Sequence, residues 1–222
     1  MTRGLFVTST GTDIGKTYVT ALIIRQLKAK GLSVHAIKPV LSGFDESSAD
    51  ASDAGILLGA LDIALAPAAL DAVSPWRYRA ALAPDMAARR EGKEVPYDEV
   101  LRFCRDALRR PENAVLIEGA GGVMAPVSDS KLNLDLIEDL AVPVLMVVGS
   151  YLGTISHSLT AAAALTARRT NLAGIVVDES EDAPVSPAET ADAIGRHLRG
   201  VPLIALRRGA ASEAPDLAWL VT

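Results

Sequence analysis

The stretch Leu5-Phe-Val-Thr-Ser-Thr-Gly-Thr-Asp-Ile-Gly15-Lys16-Thr17 constrains this chain more than any other. A short apolar run gives way to small polar residues. Gly15-Lys16-Thr17 then opens a segment whose apolar residues Val19, Leu22, Ile23 and Leu27 recur at helical spacing. Strand, loop and helix in that order make an anion cradle, because loop N–H groups and the positive helix end face the ligand. A lysine in such a loop brings mobile charge to the outer phosphates, and a threonine hydroxyl reaches Mg²⁺. Lys16 and Thr17 take those places. The strict pattern asks for glycine where Thr10 stands, and Gly11 is the nearest. The strand before and the helix after therefore carry the reading of a nucleoside triphosphate site, against a plain glycine turn before an ordinary helix.

The same alternation runs through the chain. Apolar β-branched runs at Leu5–Thr8, Val34–Ile37, Val115–Ile117, Val144–Val148, Gly174–Val177 and Leu203–Leu206 read as strands. Helical patterns lie between them at Lys16–Lys30, Ser52–Leu61, Ala83–Glu91, Tyr97–Arg110, Asn133–Leu140, Thr154–Arg169 and Pro187–Leu198. Strands that read as continuous apolar runs are covered on both faces. The expectation is a doubly wound α/β fold of the P-loop NTPase type, with a mainly parallel sheet and helices on both faces. Ala60–Arg79, rich in alanine, receives no assignment.

A length of 222 residues suits one domain. Net charge near −5 disfavours non-specific nucleic-acid binding, which depends on clustered Lys and Arg. Cys104 is the sole cysteine, which excludes an intrachain disulfide, and it reads as buried filler within Tyr97–Arg110. The three histidines show no metal-ligand spacing. No apolar run has the length of a membrane span, and the start enters the first strand with no leader pattern, so a cytoplasmic protein is expected.

In open α/β sheets ligands bind beyond the carboxyl ends of the strands. The informative polar residues fall there: the phosphate loop, Lys38-Pro39, Glu118-Gly-Ala-Gly-Gly122, Gly149-Ser-Tyr-Leu-Gly153 and Asp178. Glu118 is placed to hold Mg²⁺ opposite Thr17, since that ion takes one or two carboxylates plus phosphate oxygens. Lys38 reads either as a second cation near a transferring phosphoryl group or as an exposed lysine before a turn. Ser42 fits a substrate contact or a turn equally. Asp50 and Asp53 fit helix caps, and His157 reads as structural.

Together these residues resemble the dethiobiotin synthetases. The resemblance covers nearly the whole chain, through Val7-Thr-Ser-Thr-Gly-Thr-Asp-Ile-Gly-Lys-Thr17, Lys38-Pro-Val-Leu-Ser-Gly43, Ser52-Asp-Ala54, Glu118-Gly-Ala-Gly-Gly122 and Leu152-Gly-Thr-Ile-Ser-His157. It implies Mg²⁺ and ATP as metal and co-substrate, with 7,8-diaminononanoate and CO₂ (from bicarbonate) joined into a ureido ring. By motif position it implies catalytic roles for Lys16, Lys38 and Thr12, and substrate contact by Ser42. Nucleotide contacts fall to Asp13, Ile14, Gly15, Lys16, Thr17, Tyr18, Asp53, Glu118, Gly119, Ala120, Gly121 and Asp178. Thr17, Asp53 and Glu118 would surround the metal. It further implies a homodimer in which the neighbour's Leu152, Gly153, Thr154, Ile155 and Ser156 meet the substrate carboxylate.

Some residues depart from the family's pattern. Ser9 and Gly11 stand where members often have Gly and Asp. Asp178 stands where relatives carry an adenine-reading asparagine, and an ionised Asp accepts but does not donate. A base preference that is relaxed, or moved toward guanine or cytosine, is the expectation there. Arg207-Arg208 replaces a Pro-containing segment. The competing classes are a partitioning-type regulatory ATPase, whose signature lysine is replaced here by Gly11, and an amide-forming relative that carries a separate glutaminase domain.

Overall fold

The computed structural model describes residues 3–209 and 213–221. Among them, six strands pair in parallel in the order β2-β5-β1-β6-β7-β8. These are β1 (Arg3–Ser9), β2 (Val34–Ile37), β5 (Ala114–Glu118), β6 (Val144–Gly149), β7 (Leu172–Asp178) and β8 (Leu203–Leu206). Each coincides with an expected strand.

Successive strand side chains point to opposite faces, so an all-apolar strand must feed two cores. Phe6, Val115, Ile117, Met146, Val148, Ile175 and Val177 enter one core. Leu5, Val7, Leu116, Leu145, Val147 and Val176 enter the other. The first core is covered by α5 (Tyr97–Leu108), α6 (Asn133–Leu140), α7 (Thr154–Ala167) and α8 (Pro187–Gly195). Over the second lie α1 (Lys16–Ala29) and α2 (Asp53–Ala60), joined by α3 (Pro67–Val73) and by Leu217 to Val221. Most of the core volume comes from aliphatic side chains, as the low aromatic share of 4% requires.

The unassigned segment is ordered. It supplies α3, with Pro67 at its first position, and β4 (Trp76–Tyr78), which pairs in parallel with β3 (Val40–Ser42). Strands of three residues are too short to show a period, so neither was visible in the sequence. The pair fixes Ser42 beside the main sheet's edge, and α4 (Pro84–Arg90) follows it. The expected Asp caps on α2 are a correction. Ser52 caps that helix, accepting Gly55 N–H at 3.1 Å, which leaves Asp53 free to turn its carboxylate inward.

Candidate functional site

The loop between β1 and α1 is tied to its neighbours by backbone bonds. Val123 N–H donates to Ser9 O at 2.9 Å, and Thr10 N–H to Val147 O at 3.3 Å. Gly15 caps α1 at φ 91°, a left-handed conformation that costs an L-residue with a side chain about 1–2 kcal/mol. Lys16 folds back so that its Nζ lies 3.1 Å from Ser9 Oγ and 3.0 Å from Gly11 O. Ser9 thus holds the lysine in place.

One residue on, Thr17 Oγ1 lies 2.8 Å from Asp53 Oδ1 and 2.7 Å from Glu118 Oε1. Lys38, just past β2, places Nζ 2.8 Å from Glu118 Oε1 and 2.5 Å from Asp53 Oδ2. Parallel pairing sets this up: Val7 is level with Glu118 and Ile37 with Ile117, so these strands end at one rim. Thr17, Glu118 and both lysines therefore converge, as expected from their strand ends, and Asp53 joins them from the start of α2. Glu118 is fully buried, and its second oxygen, Oε2, has no hydrogen-bond partner among the described residues.

Charge follows from the geometry. Burial, and then the nearby Lys38, lower Lys16 to about 8. The two ammonium groups are thus close enough to repel each other. Burial also works to lower Lys38, but Glu118 and Asp53 outweigh it and hold the group well above its ordinary value, so it stays charged. Burial works to raise Asp53, which Lys38 and Thr17 overcome, leaving the carboxyl below its ordinary value.

These groups open into a cleft of about 1180 Å³. Thr12, Asp13, Ile14, Gly15, Tyr18 and Ser42 line it, with Ala120 and Gly121 opposite. Ser42 Oγ is buried there without a hydrogen-bond partner among the described residues. Leu82, Pro84, Val123 and Met124 add apolar surface to its lining. Gly119 faces away. Its N–H is held by Val7 O at 3.0 Å and a Cβ would stand 2.9 Å from the Phe6 ring, so its part is to let the turn pack down on β1. Asp178 lies on the other side of the loop, against Gly15.

Leu152, Gly153, Thr154, Ile155 and Ser156 do not line this chain's own cleft. Leu152 is 89% exposed, and Thr154 turns inward to donate to Gly149 O at 2.7 Å. His157 stands on the cleft wall, with Nδ1 2.9 Å from the Tyr151 hydroxyl. Thr160 and Ala161, three and four residues beyond His157, share its helical face and line the cleft with it. Asn133 was missed. Buried at the start of α6, it donates to Ala120 O and, at 2.9 Å, to Gly122 O, and so pins the glycine turn after Glu118. No helix among the described residues is long and apolar enough to cross a membrane.

A family model described as an AAA domain matches residues 3–206. The chain is 47% identical to the ATP-dependent dethiobiotin synthetase BioD of Caulobacter sp. (strain K31), covering 96% of this chain and 92% of that one. The protein of the same name from Caulobacter vibrioides (strain NA1000 / CB15N) is 52% identical over 82% of each chain. Among solved structures, the septum site-determining protein MinD of Pyrococcus horikoshii OT3, complexed with Mg-ADP, aligns at TM-score 0.52 and 17% identity, covering 91% of this chain and 79% of that one. The signal recognition particle receptor FtsY of Elizabethkingia anophelis aligns at TM-score 0.55 and 14% identity, with all of this chain covered and 62% of that one. At those identities the structures share the fold alone, and that likeness is all that the partitioning-type alternative retains.

Proposed function

The chain belongs to the dethiobiotin synthetase family of ATP-dependent ligases that form C–N bonds, and from that premise we propose how its own residues carry the reaction. One amine of 7,8-diaminononanoate takes up CO₂ as a carbamate. A carbamate oxygen attacks the γ-phosphorus of ATP, ADP leaves, and a carbamic–phosphoric anhydride forms. The second amine then attacks the carbonyl carbon and expels phosphate, which closes the ureido ring.

Two of the reactants are anions that repel each other, so the protein's task is charge neutralisation and alignment. Lys16 and Thr12 hold the γ-phosphate, and Lys38 meets the carbamate. Asp13, Ile14, Gly15 and Tyr18 frame the nucleotide's phosphates, Ala120 and Gly121 cover them, and Asp178 lies toward the base. Ser42, whose buried hydroxyl awaits a partner, meets the diamine. The apolar surface of the cleft suits the aliphatic chain of that substrate. The observation that carries the reading is the convergence on one rim of Lys38 and Thr17, which share Asp53 and Glu118, with Lys16 next to Thr17 in the phosphate loop.

Thr17, Asp53 and Glu118 offer an all-oxygen set, and the buried, unpartnered Glu118 Oε2 fits a hard cation. No cluster of three or more metal-ligating His, Cys, Asp or Glu occurs among the described residues. Mg²⁺ bound there would neutralise charge on the phosphate oxygens. Lys38 sits between Asp53 and Glu118 and lines the cleft.

We further place the working protein as a homodimer with one domain per chain, acting in the cytoplasm, where nucleoside triphosphate and bicarbonate are supplied. The exposed Leu152 and Ile155 at the start of α7 support a partner's approach there. The test mixes purified protein, Mg²⁺, bicarbonate, ATP and diaminononanoate. Phosphate release that needs both bicarbonate and the diamine, with product of dethiobiotin's mass, is expected. Hydrolysis indifferent to the diamine would contradict the reading.

A further inference from the structure

A lysine ammonium carries three N–H donors on a long, rotatable stem, so it aims at one phosphate oxygen only when its head is held. Two of the three donors of Lys16 are already engaged. Its Nζ lies 3.1 Å from Ser9 Oγ and 3.0 Å from Gly11 O, and no other hydrogen bond to it is present among the described residues. With two donors fixed, the tetrahedral nitrogen leaves a single direction for the third. The group is only 6% exposed, and the surface it does present lines the cleft.

Of the two holds, Ser9 is the one anchored in the sheet. It is the last residue of β1, fully buried, and level with Val147 of β6, and its carbonyl accepts the Val123 N–H at 2.9 Å. Its hydroxyl is saturated as well. The oxygen accepts the Gly11 N–H at 3.2 Å besides the ammonium, and its proton goes to Gly11 O at 2.5 Å, with Gly121 O a second acceptor at 3.3 Å. A hydroxyl has one donor and two acceptor sites, so it cannot turn from Lys16 without giving up a bond. One buried atom thus ties together the phosphate loop, its lysine and the glycine turn after Glu118.

We propose that Ser9 is a positioning residue for the phosphoryl transfer, its hydroxyl orienting the Lys16 ammonium so that the third N–H meets the terminal phosphate of the nucleotide. The proposal rests on the nucleotide site described above and deepens it. A residue without a hydroxyl at this place leaves the ammonium with Gly11 O alone, free to swing about that one bond. Such a loss is felt where charge moves on the transferring group, because a donor helps there only if it is already aimed. The acceptor side of the cleft is spared, since Lys38 is held by Asp53 and Glu118 instead.

The test is a double-mutant cycle on the full chain with Mg²⁺. Calorimetry compares a non-hydrolysable ATP analogue with ADP in the wild type, Ser9→Ala, Lys16→Met and the double variant, and turnover with ATP, bicarbonate and diaminononanoate is followed in the wild type and Ser9→Ala. Ser9→Ala should weaken the ATP analogue about tenfold, the scale of one hydrogen bond to a charged group, and weaken ADP less. Its kcat should fall by a similar factor while KM for diaminononanoate stays put. In the Lys16→Met background the same substitution should change analogue affinity no further. Ser9→Gly, which also lacks the hydroxyl, should behave as Ser9→Ala and replaces it if the alanine variant does not fold. A Ser9→Ala effect that persists undiminished without Lys16, or equal losses for the two nucleotides, overturns the proposal. So does tighter analogue binding in Ser9→Ala, which would mean that the hydroxyl competes with the phosphate for the ammonium. The expected cycle in analogue affinity without diamine-dependent turnover would uphold the role of Ser9 and count against the reaction instead.

Discussion

Lys38 Nζ lies 2.8 Å from Glu118 Oε1, with both side chains removed from solvent. A buried pair of this kind contributes little net stability when intact, yet removing one partner leaves a charge stranded. Lys38→Met should therefore cost about 3–5 kcal/mol in denaturant unfolding and lower kcat by about 10²- to 10³-fold. Adding Glu118→Gln should restore much of the stability and none of the turnover. Full turnover in the single variant would refute the role assigned to Lys38.

Glu118→Gln alone separates charge from shape. The amide is close in size and Asp53 still pairs the Lys38 charge, so thermal unfolding should fall less than in Lys38→Met. The Mg²⁺ concentration needed for half-maximal turnover should rise at least about tenfold if a carboxylate there holds the ion. An unchanged Mg²⁺ requirement would remove Glu118 from the metal site.

Gly15→Ala meets two obstacles, the left-handed φ of 91° and the Asp178 oxygen 2.0 Å from the new methyl. ATP-analogue affinity should drop at least about tenfold, the loss of some 1–2 kcal/mol that strain at one such residue imposes. Adding Asp178→Ala should recover only the steric share, as calorimetry on both variants would reveal.

Asn133→Ala removes the amide that holds Ala120 O and Gly122 O, both on the turn after Glu118. Unpairing buried carbonyls costs about 1–3 kcal/mol. Chemical denaturation should register that loss, and KM for ATP should rise as the turn loosens.

Burial raises the Cys104 thiol to about 12. Below that pH the nucleophilic thiolate is scarce, so iodoacetamide at about pH 8 should leave the folded protein unlabelled and modify it fully once unfolded. Rapid native labelling would show that α5 opens.

The strands of the main sheet were legible because each is an unbroken apolar run, and their order followed no clue the sequence offers. Lys16, Thr17 and Glu118 were legible because chemistry collects at strand ends, a rule that needs only local pattern. Asp53 is different: its inward turn depends on Ser52 taking the cap, and two adjacent polar residues compete equally for that position until packing decides. Asn133 was hidden because it acts across the chain, on a turn eleven to thirteen residues back. The β3–β4 pair was hidden because three residues carry no period, although it is what fixes Ser42.

The central claim is that Lys16 and Lys38 draw two mutually repelling anions together. It is tested most directly by a crystal structure with Mg²⁺, a non-hydrolysable ATP analogue, diaminononanoate and bicarbonate. The account predicts Lys16 Nζ on the γ-phosphate and Lys38 Nζ on the carbamate, each at a charge-assisted distance of about 2.7–2.9 Å. Both ligands bound in the cleft with the two ammonium groups directed away from them into bulk solvent would contradict it.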